Sequence, residues 1–125
     1  MAIDGITIDA KNLKISGSGY KVGAITNHGT LLLNSGVITG FDIIAGMNSG
    51  IITVDGQNAY FEMNGGSIEG NIFKEARQTQ YTGVVHVTQG ATFVMNGGYI
   101  QNNDFSDTMN SVWSILDHTM VTLLL

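Results

Sequence analysis

A repeated fifteen-residue segment constrains this chain more than any other feature of the sequence. Residues 59–73, AYFEMNGGSIEGNIF, align with residues 91–105, ATFVMNGGYIQNNDF, at an offset of 32, and nine of the fifteen positions are identical. A third copy at residues 30–40, TLLLNSGVITG, precedes the first by an offset of 30, and a weaker copy at residues 12–18 lies 18 residues further upstream. Repeats of this length are typical of chains that stack one small unit on the next.

Each copy contains apolar residues with the period-two alternation of strands, and another alternating run precedes it. Strands that cannot pair within their own unit satisfy their backbone groups by pairing with equivalent strands above and below, about 4.8 Å away. We therefore predict an all-β fold, a parallel β-helix (β-solenoid) of about five short coils with the last one incomplete. The predicted inward columns are Val54, Val87 and Ile115 on the first side, Ile15, Leu33, Met63, Met95 and Leu123 on the second, and Ile38, Ile68 and Ile100 on the third.

Three asparagines, Asn34, Asn64 and Asn96, fall at the same corner of successive coils. Each is followed by Ser-Gly or Gly-Gly, which suits a bend that needs positive φ. We expect the stacked asparagine side chains to form a hydrogen-bonded structural ladder.

The C-terminal residues are apolar where earlier coils have Asn-Gly. Val121 and Leu123 align with Phe93 and Met95. We predict one domain over residues 1–125, which is either a piece of a longer solenoid or has an open end covered by another subunit. The predicted interface at that open end consists of Val121, Leu123, Leu124 and Leu125.

The composition excludes several classes of function. The formal net charge is −5 and no basic run is present, so a nucleic-acid partner is not expected. The chain has no cysteine, which excludes disulfides and thiolate chemistry. No apolar run reaches the roughly 20 residues of a membrane-spanning helix, and residues 1–5 lack the pattern of a signal peptide.

The repeated segments resemble a known family. Residues 61–71, FEMNGGSIEGN, and residues 93–103, FVMNGGYIQNN, are similar to the repeats of right-handed parallel β-helix proteins of the pectate-lyase-like superfamily, especially bacterial adhesin-like surface proteins. The resemblance implies a single-stranded right-handed parallel β-helix and an extracellular or cell-surface location. It does not select one function, because the superfamily includes polysaccharide lyases, hydrolases, phage tailspikes and adhesins.

The connections after Ile38, Ile68 and Ile100 are the longest and lie on one edge, where binding loops are expected. A functional interpretation makes their aromatic residues a platform for sugar rings, and the alternative is that Phe41, Phe73 and Phe105 fold inward as a packing column. The candidate binding residues on this loop edge are Asp42, Phe73, Arg77, Tyr81, Tyr99, Asp104, Phe105 and Asp107.

No catalytic cluster or metal site is predicted. The loop-edge carboxylates, which include Glu69 and Glu75, have a spacing that is not specific for glycoside hydrolysis or Ca²⁺, and Arg77 is the only loop candidate for a lyase base. His28, His86 and His118 lie in different coils, and His86 is expected on the outward face. We predict no catalytic residue, no metal and no cofactor.

Three functional hypotheses follow. The first is a non-enzymatic structural or adhesive module of a bacterial or phage surface protein that self-associates through its coil ends as a homo-oligomer and presents its loop edge, with a glycan or cell-surface molecule as ligand. The second is a fragment of a polysaccharide lyase or glycoside hydrolase with a groove along that edge. The third is a self-assembling filament subunit.

Overall fold

The protein is all-β in the part that its computed structural model describes, residues 2–3, 5, 7–11, 13–17, 24–44, 49–74, 82–107 and 121–123. The strands fall into repeats. Repeat 1 contains β1 (Ala2–Ile3), β2 (Thr7–Ala10) and β3 (Leu13–Ser16). Repeat 2 contains β4 (Ile25–Asn27), β5 (Thr30–Leu33), β6 (Gly36–Thr39) and β7 (Asp42–Ile44). Repeat 3 contains β8 (Ser49–Asp55), β9 (Tyr60–Met63), β10 (Ser67–Glu69) and β11 (Ile72–Lys74).

Repeat 4 contains β12 (Thr82–Thr88), β13 (Thr92–Met95), β14 (Tyr99–Gln101) and β15 (Asp104–Asp107), and β16 (Val121–Leu123) follows it. Successive strands of a repeat belong to different sheets, and each sheet joins equivalent strands of successive repeats in parallel. The first sheet has the order β1-β4-β8-β12, the second β16-β13-β9-β5-β2, the third β14-β10-β6-β3 and the fourth β15-β11-β7. This parallel architecture is compatible with a β-solenoid.

The inward columns predicted for repeats 2 to 4 are confirmed. In the second sheet, Leu33, Met63 and Met95 pair in register and are buried, and in the third sheet Ile38 and Ile68 are fully buried. The second sheet adds an inward column of Leu31, Phe61 and Phe93. Burial of each such side chain contributes roughly 1.5–3 kcal/mol, so the columns are the main source of stability in the repeats.

The prediction that Ile15 belongs to the second sheet is wrong. Ile15 pairs with Ile38 in the third sheet, whereas Ala10 holds the second-sheet position beside Leu33. The physical reason is that period-two alternation is the same on every side, so the run Leu13–Ser16 matches the second and third sides equally well. The short β1 supplies the first-sheet strand of this repeat, with Ile3 beside Asn27.

A fourth sheet replaces part of the predicted loop edge. Repeats 2, 3 and 4 each have four strands rather than three, because β7, β11 and β15 pair in parallel where only loops were expected. The strands are three or four residues long. Such short runs give a weak alternation signal, which explains why the sequence did not reveal them.

The first sheet is buried on both faces over part of its width. Ile51 and Ile52 are adjacent, so their side chains point to opposite faces, yet both are fully buried. Val84 and Val85 in β12 behave in the same way. His86 pairs with Thr53 as predicted, but the expectation that it lies at the surface is wrong, because its side chain is 2% exposed. A continuous apolar run is typical of strands covered on both faces.

The tail pairs as its alignment predicted. In β16, Val121 lies in register with Phe93 and Leu123 with Met95, so the second sheet extends by one strand beyond repeat 4. Ile115, Leu124 and Leu125 lie outside the described residues.

Candidate functional site

The predicted asparagine ladder is present at the corner between the second and third sheets. The Nδ2 of Asn64 donates to Oδ1 of Asn34 at 2.9 Å, and the Nδ2 of Asn96 donates to Oδ1 of Asn64 at 2.8 Å. The bend after each asparagine uses positive φ, as expected, at +80° in Gly66 and +87° in Gly98. The ladder therefore has a direction, with each amide donating toward the N-terminal repeat.

Glu62 connects the ladder to the outward face of the second sheet. Its Oε2 accepts a hydrogen bond from Nδ2 of Asn64 at 2.8 Å, and its Oε1 accepts one from the Tyr60 hydroxyl at 2.6 Å. The bonds from Tyr60 and Asn64 lower the pKa of the Glu62 carboxyl. The same contact, together with burial and the carboxylate charge, raises the pKa of Tyr60. Neutral Tyr60 and charged Glu62 thus form a fixed pair.

A second amide cluster joins the third and fourth sheets, and the sequence analysis did not identify it. Asn71 is fully buried, and its Oδ1 accepts the backbone N–H of Phe41 at 3.1 Å. Its Nδ2 donates to Oδ1 of Asn103 at 2.9 Å and to the carbonyl of Ile38 at 3.3 Å. Asn103 repeats the pattern one unit later, since its Oδ1 accepts the N–H of Asn71 and its Nδ2 donates to the carbonyl of Ile68.

These contacts make each of the two asparagines a clamp on the backbone of the preceding repeat. The available signal was the identity of Asn71 and Asn103 at equivalent positions of the fifteen-residue repeat. A second fully buried asparagine, Asn27, bridges the first and second sheets in a similar way. Its Nδ2 donates to the carbonyl of Tyr60, and its Oδ1 accepts the N–H of Gly29, both at 2.9 Å.

The outward face of the third sheet carries the most exposed aromatic side chain of the described residues. Tyr99 on β14 is 66% exposed. Two positions along the same strand, Gln101 donates from Nε2 to Oε2 of Glu69 at 3.0 Å. Tyr99 and Gln101 are exposed and point to one face, separated by roughly 6.8 Å along the strand. A ring beside a fixed amide and carboxylate is an arrangement that suits polar, ring-shaped ligands.

Two of the predicted loop-edge carboxylates lie in one column of the fourth sheet. Asp42 pairs with Ile72, and Ile72 pairs with Asp104. Asp42 is half-buried, whereas Asp104 is exposed. Their backbones are two strand spacings apart, about 9.6 Å, with a 37% exposed isoleucine between them. The register therefore separates these carboxylates and does not assemble them into a pair.

The remaining candidates are distributed differently from the prediction. Phe73 is fully buried and Phe41 nearly so, so both pack into the core as the alternative proposed, and Phe73 offers no ring to a ligand. Phe41 and Phe73 do not share a column, since Phe41 lies one position before the Asp42–Ile72 pair and Phe73 is in register with Ile43. The backbones of Phe105 and Asp107 lie in β15. Arg77 and Tyr81, with Glu75 and His118, lie outside the described residues.

The described ranges contain no group of three or more histidine, cysteine or acidic side chains arranged to hold a metal ion. No helix long and apolar enough to cross a membrane occurs in the same ranges. His28 lies beside Asp55, with its Nδ1 2.9 Å from the backbone carbonyl oxygen and 3.7 Å from Oδ2.

Comparison of the chain with protein-family models, with curated proteins and with solved structures finds no match.

Proposed function

We propose that the four sheets are the sides of a right-handed parallel β-solenoid. The support is the order of the strands, because the chain visits the first, second, third and fourth sheets in turn and then returns to the first in the next repeat. Connections between parallel strands of one sheet are right-handed in about 98% of cases. The amide clamps suit such a stack, because Asn71 holds repeat 3 to repeat 2 and Asn103 holds repeat 4 to repeat 3.

The function proposed for this stack is that of a non-enzymatic structural or adhesive module that self-associates through its ends. One observation carries the proposal, the inward isoleucine column of the third sheet. Ile15, Ile38, Ile68 and Ile100 lie in register. The two inner members are fully buried, whereas Ile15 and Ile100 at the two ends are only partly buried. A second copy placed end to end would cover both terminal side chains with the same residue type.

The strand edges favour the same arrangement. In the third sheet, β3 and β14 are the outermost strands, and among the described residues each pairs on one side only. An open parallel edge is a template for another strand. Pairing β14 of one copy with β3 of the next would continue the sheet and its isoleucine column, with β2 of the next copy taking the place beside β13 that β16 holds in the single chain. Because this contact joins different surfaces, it repeats without closing and produces a filament.

The adhesive role, the extracellular or cell-surface location and a glycan ligand belong to the same proposal. They are supported by the resemblance to bacterial adhesin-like repeats and by the low charged fraction of the chain, 12%. The exposed side chains of Tyr99 and Gln101, with the half-buried Glu69, make the outward face of the third sheet the proposed contact surface. Binding of a glycan array, compared between the native protein and Tyr99→Ala, tests this part, and equal binding would remove it.

Sedimentation velocity over a rising protein concentration tests the self-association. The native protein should form larger species, which electron microscopy should resolve as filaments. Ile100→Lys places a charge in the proposed contact and should keep the protein monomeric. Val37→Lys is the matched control, because the same register position in β3 already holds an exposed lysine, Lys14. Circular dichroism checks that both variants remain folded.

A native protein that stays monomeric at the highest concentration would contradict the proposal. So would a folded Ile100→Lys variant that associates like the native protein. Loss of association in Val37→Lys as well would show that the contact is not at the column end.

A further inference from the structure

Two Asn-Gly dipeptides lie in the asparagine ladder, and the structure explains why both residues are there. Asn64–Gly65 and Asn96–Gly97 are the only Asn-Gly pairs in the chain. The ladder uses the asparagine amides. The following position lies so close to the repeat below that a Cβ on Gly97 would be 2.6 Å from the carbonyl oxygen of Asn64. The ladder and the close approach of the next position therefore require Asn-Gly at this corner, and Asn-Gly is chemically labile.

Asn-Gly is labile because glycine has no side chain to hinder attack of its backbone nitrogen on the preceding amide; asparagine is among the thermolabile residues of proteins. We propose that Asn96–Gly97 is a site of spontaneous self-modification, and that the ladder protects the otherwise equivalent Asn64–Gly65. The modification requires neither self-association nor glycan binding.

The reaction needs only the chain and water. The Gly97 nitrogen loses its proton and forms a bond to Cγ of Asn96, the bond from Cγ to Nδ2 breaks, and Nδ2 leaves as ammonia. Water then opens the cyclic imide at one of its two carbonyls, giving aspartate or isoaspartate. The balance is one amide and one water consumed, and one carboxyl and one ammonia formed.

The different protection of the two sites follows from their hydrogen bonds. The Nδ2 of Asn64 donates to both Oδ1 of Asn34 and Oε2 of Glu62, while its Oδ1 accepts from Asn96. The side chain of Asn96, at the end of the ladder, has one such bond in the described residues, from Nδ2 to Asn64. Both side chains are exposed to water.

The backbone hydrogen bonds of the two glycines are similar, so they do not offset the difference in protection between the two asparagine side chains. The glycine nitrogen that attacks is hydrogen-bonded at both sites, from Gly65 to the carbonyl of Leu33 at 3.4 Å and from Gly97 to the carbonyl of Met63 at 3.2 Å. The two sites therefore differ in the hydrogen bonds of the asparagine side-chain amide, which must rotate out of the ladder before it can react. For Asn64 that rotation breaks an additional bond to a carboxylate.

Modification at Asn96 would open the ladder at its end. A carboxylate at this position has no proton to donate to Oδ1 of Asn64. Isoaspartate also adds a methylene to the main chain, beside a glycine that has no free space toward the repeat below. The end rung is therefore where chemical ageing of the stack begins.

Peptide mapping by mass spectrometry tests the proposal. The native protein is incubated at mildly alkaline pH, at dilute concentration, and digested with trypsin; Lys74 and Arg77 lie between the two sites and place them in different peptides. Conversion of Asn96 should be about tenfold faster than that of Asn64, the factor expected for one hydrogen bond to a charged group. In denaturant the two rates should become similar, with Asn34–Ser35 slower than both.

Glu62→Ala removes one acceptor of the Asn64 amide, so it should raise the rate at Asn64 several-fold and leave Asn96 unchanged. Glu69→Ala, which removes a carboxylate away from the ladder, is the matched control and should alter neither rate. Equal rates at Asn64 and Asn96 in the folded native protein would overturn the proposal, and this comparison needs no variant. Faster reaction at Asn64 would also overturn it.

Discussion

The rings of Phe61 and Phe93 stack nearly parallel, with centroids 5.0 Å apart and an interplanar angle of 10°. The two residues are in register on β9 and β13, so the spacing of their rings is close to the 4.8 Å spacing of the strands. Both rings are fully buried. The spacing of the rings therefore reflects the close stacking of repeats 3 and 4 in the core.

Truncation of one ring should be strongly destabilising. We expect Phe93→Ala to lower the free energy of unfolding by about 3–5 kcal/mol, because it removes a buried aromatic side chain and leaves a cavity against Phe61. Val94→Ala on the outward side of the same strand should change it by roughly 0.5 kcal/mol or less. Urea unfolding followed by circular dichroism measures both. Equal effects of the two substitutions would contradict the assigned inward face.

The buried clamp should contribute more to stability than the exposed ladder. Asn71→Ala leaves the N–H of Phe41 and the carbonyl of Ile38 without the side-chain bonds they have now, at a cost of about 1–3 kcal/mol per buried polar group. Asn64→Ala removes an amide that is exposed to water, and we expect a loss of about 1 kcal/mol or less. Thermal unfolding of the two variants ranks them, and a larger loss in Asn64→Ala would show that the ladder carries the stability.

The stability of the second sheet should depend on pH through Glu62. Its folded-state pKa is lowered, so its contribution to stability is present above the unfolded-state pKa and is lost as pH falls through the folded-state pKa. Urea midpoints measured from neutral into acidic solution should therefore fall less steeply in Glu62→Gln than in the native protein. Glu69→Gln is the control with a similar change of charge. An identical acid dependence in native protein and Glu62→Gln would contradict the prediction.

Tyr60 provides the complementary measurement in alkaline solution. Its folded-state pKa is raised, so its contribution to stability is present below the unfolded-state pKa and is lost as pH rises through the folded-state pKa. An alkaline titration followed by tyrosine absorbance should show a tyrosine with a raised pKa in the native protein. That tyrosine should be missing from the titration of Tyr60→Phe.

Much of the core was predictable because the repeat itself identifies equivalent positions. Met63 and Met95 occupy the same place in two nearly identical segments, and the same argument aligned Val121 with Phe93. Ile15 was placed in the wrong sheet because repeat 1 is shorter and its alternation fits either side. The fourth sheet was missed since β7 and β11 have three residues each, too few for a pattern.

The candidate sites were less predictable, because they depend on side-chain contacts rather than on spacing. The Asn34–Asn64–Asn96 ladder followed from position alone, since identical amides stacked at one corner can bond to each other. The role of Asn71 did not follow, because a buried amide bonded to backbone groups and an exposed amide look alike in sequence. The burial of His86 likewise depends on what covers the outer face of the first sheet.

The equivalent contacts of Asn71 and Asn103 allow a whole repeat to be removed from the chain. Asn103 contacts Asn71 and Ile68 with the same atoms that Asn71 uses on Phe41 and Ile38. Deleting the 32 residues from 71 to 102 would place Asn103 directly after Gly70, where Asn71 now lies. A gene for this chain can therefore lose a whole unit by recombination and keep the clamp contacts, and the offsets of 30 and 32 residues between successive clamp contacts show that the unit need not have one fixed length.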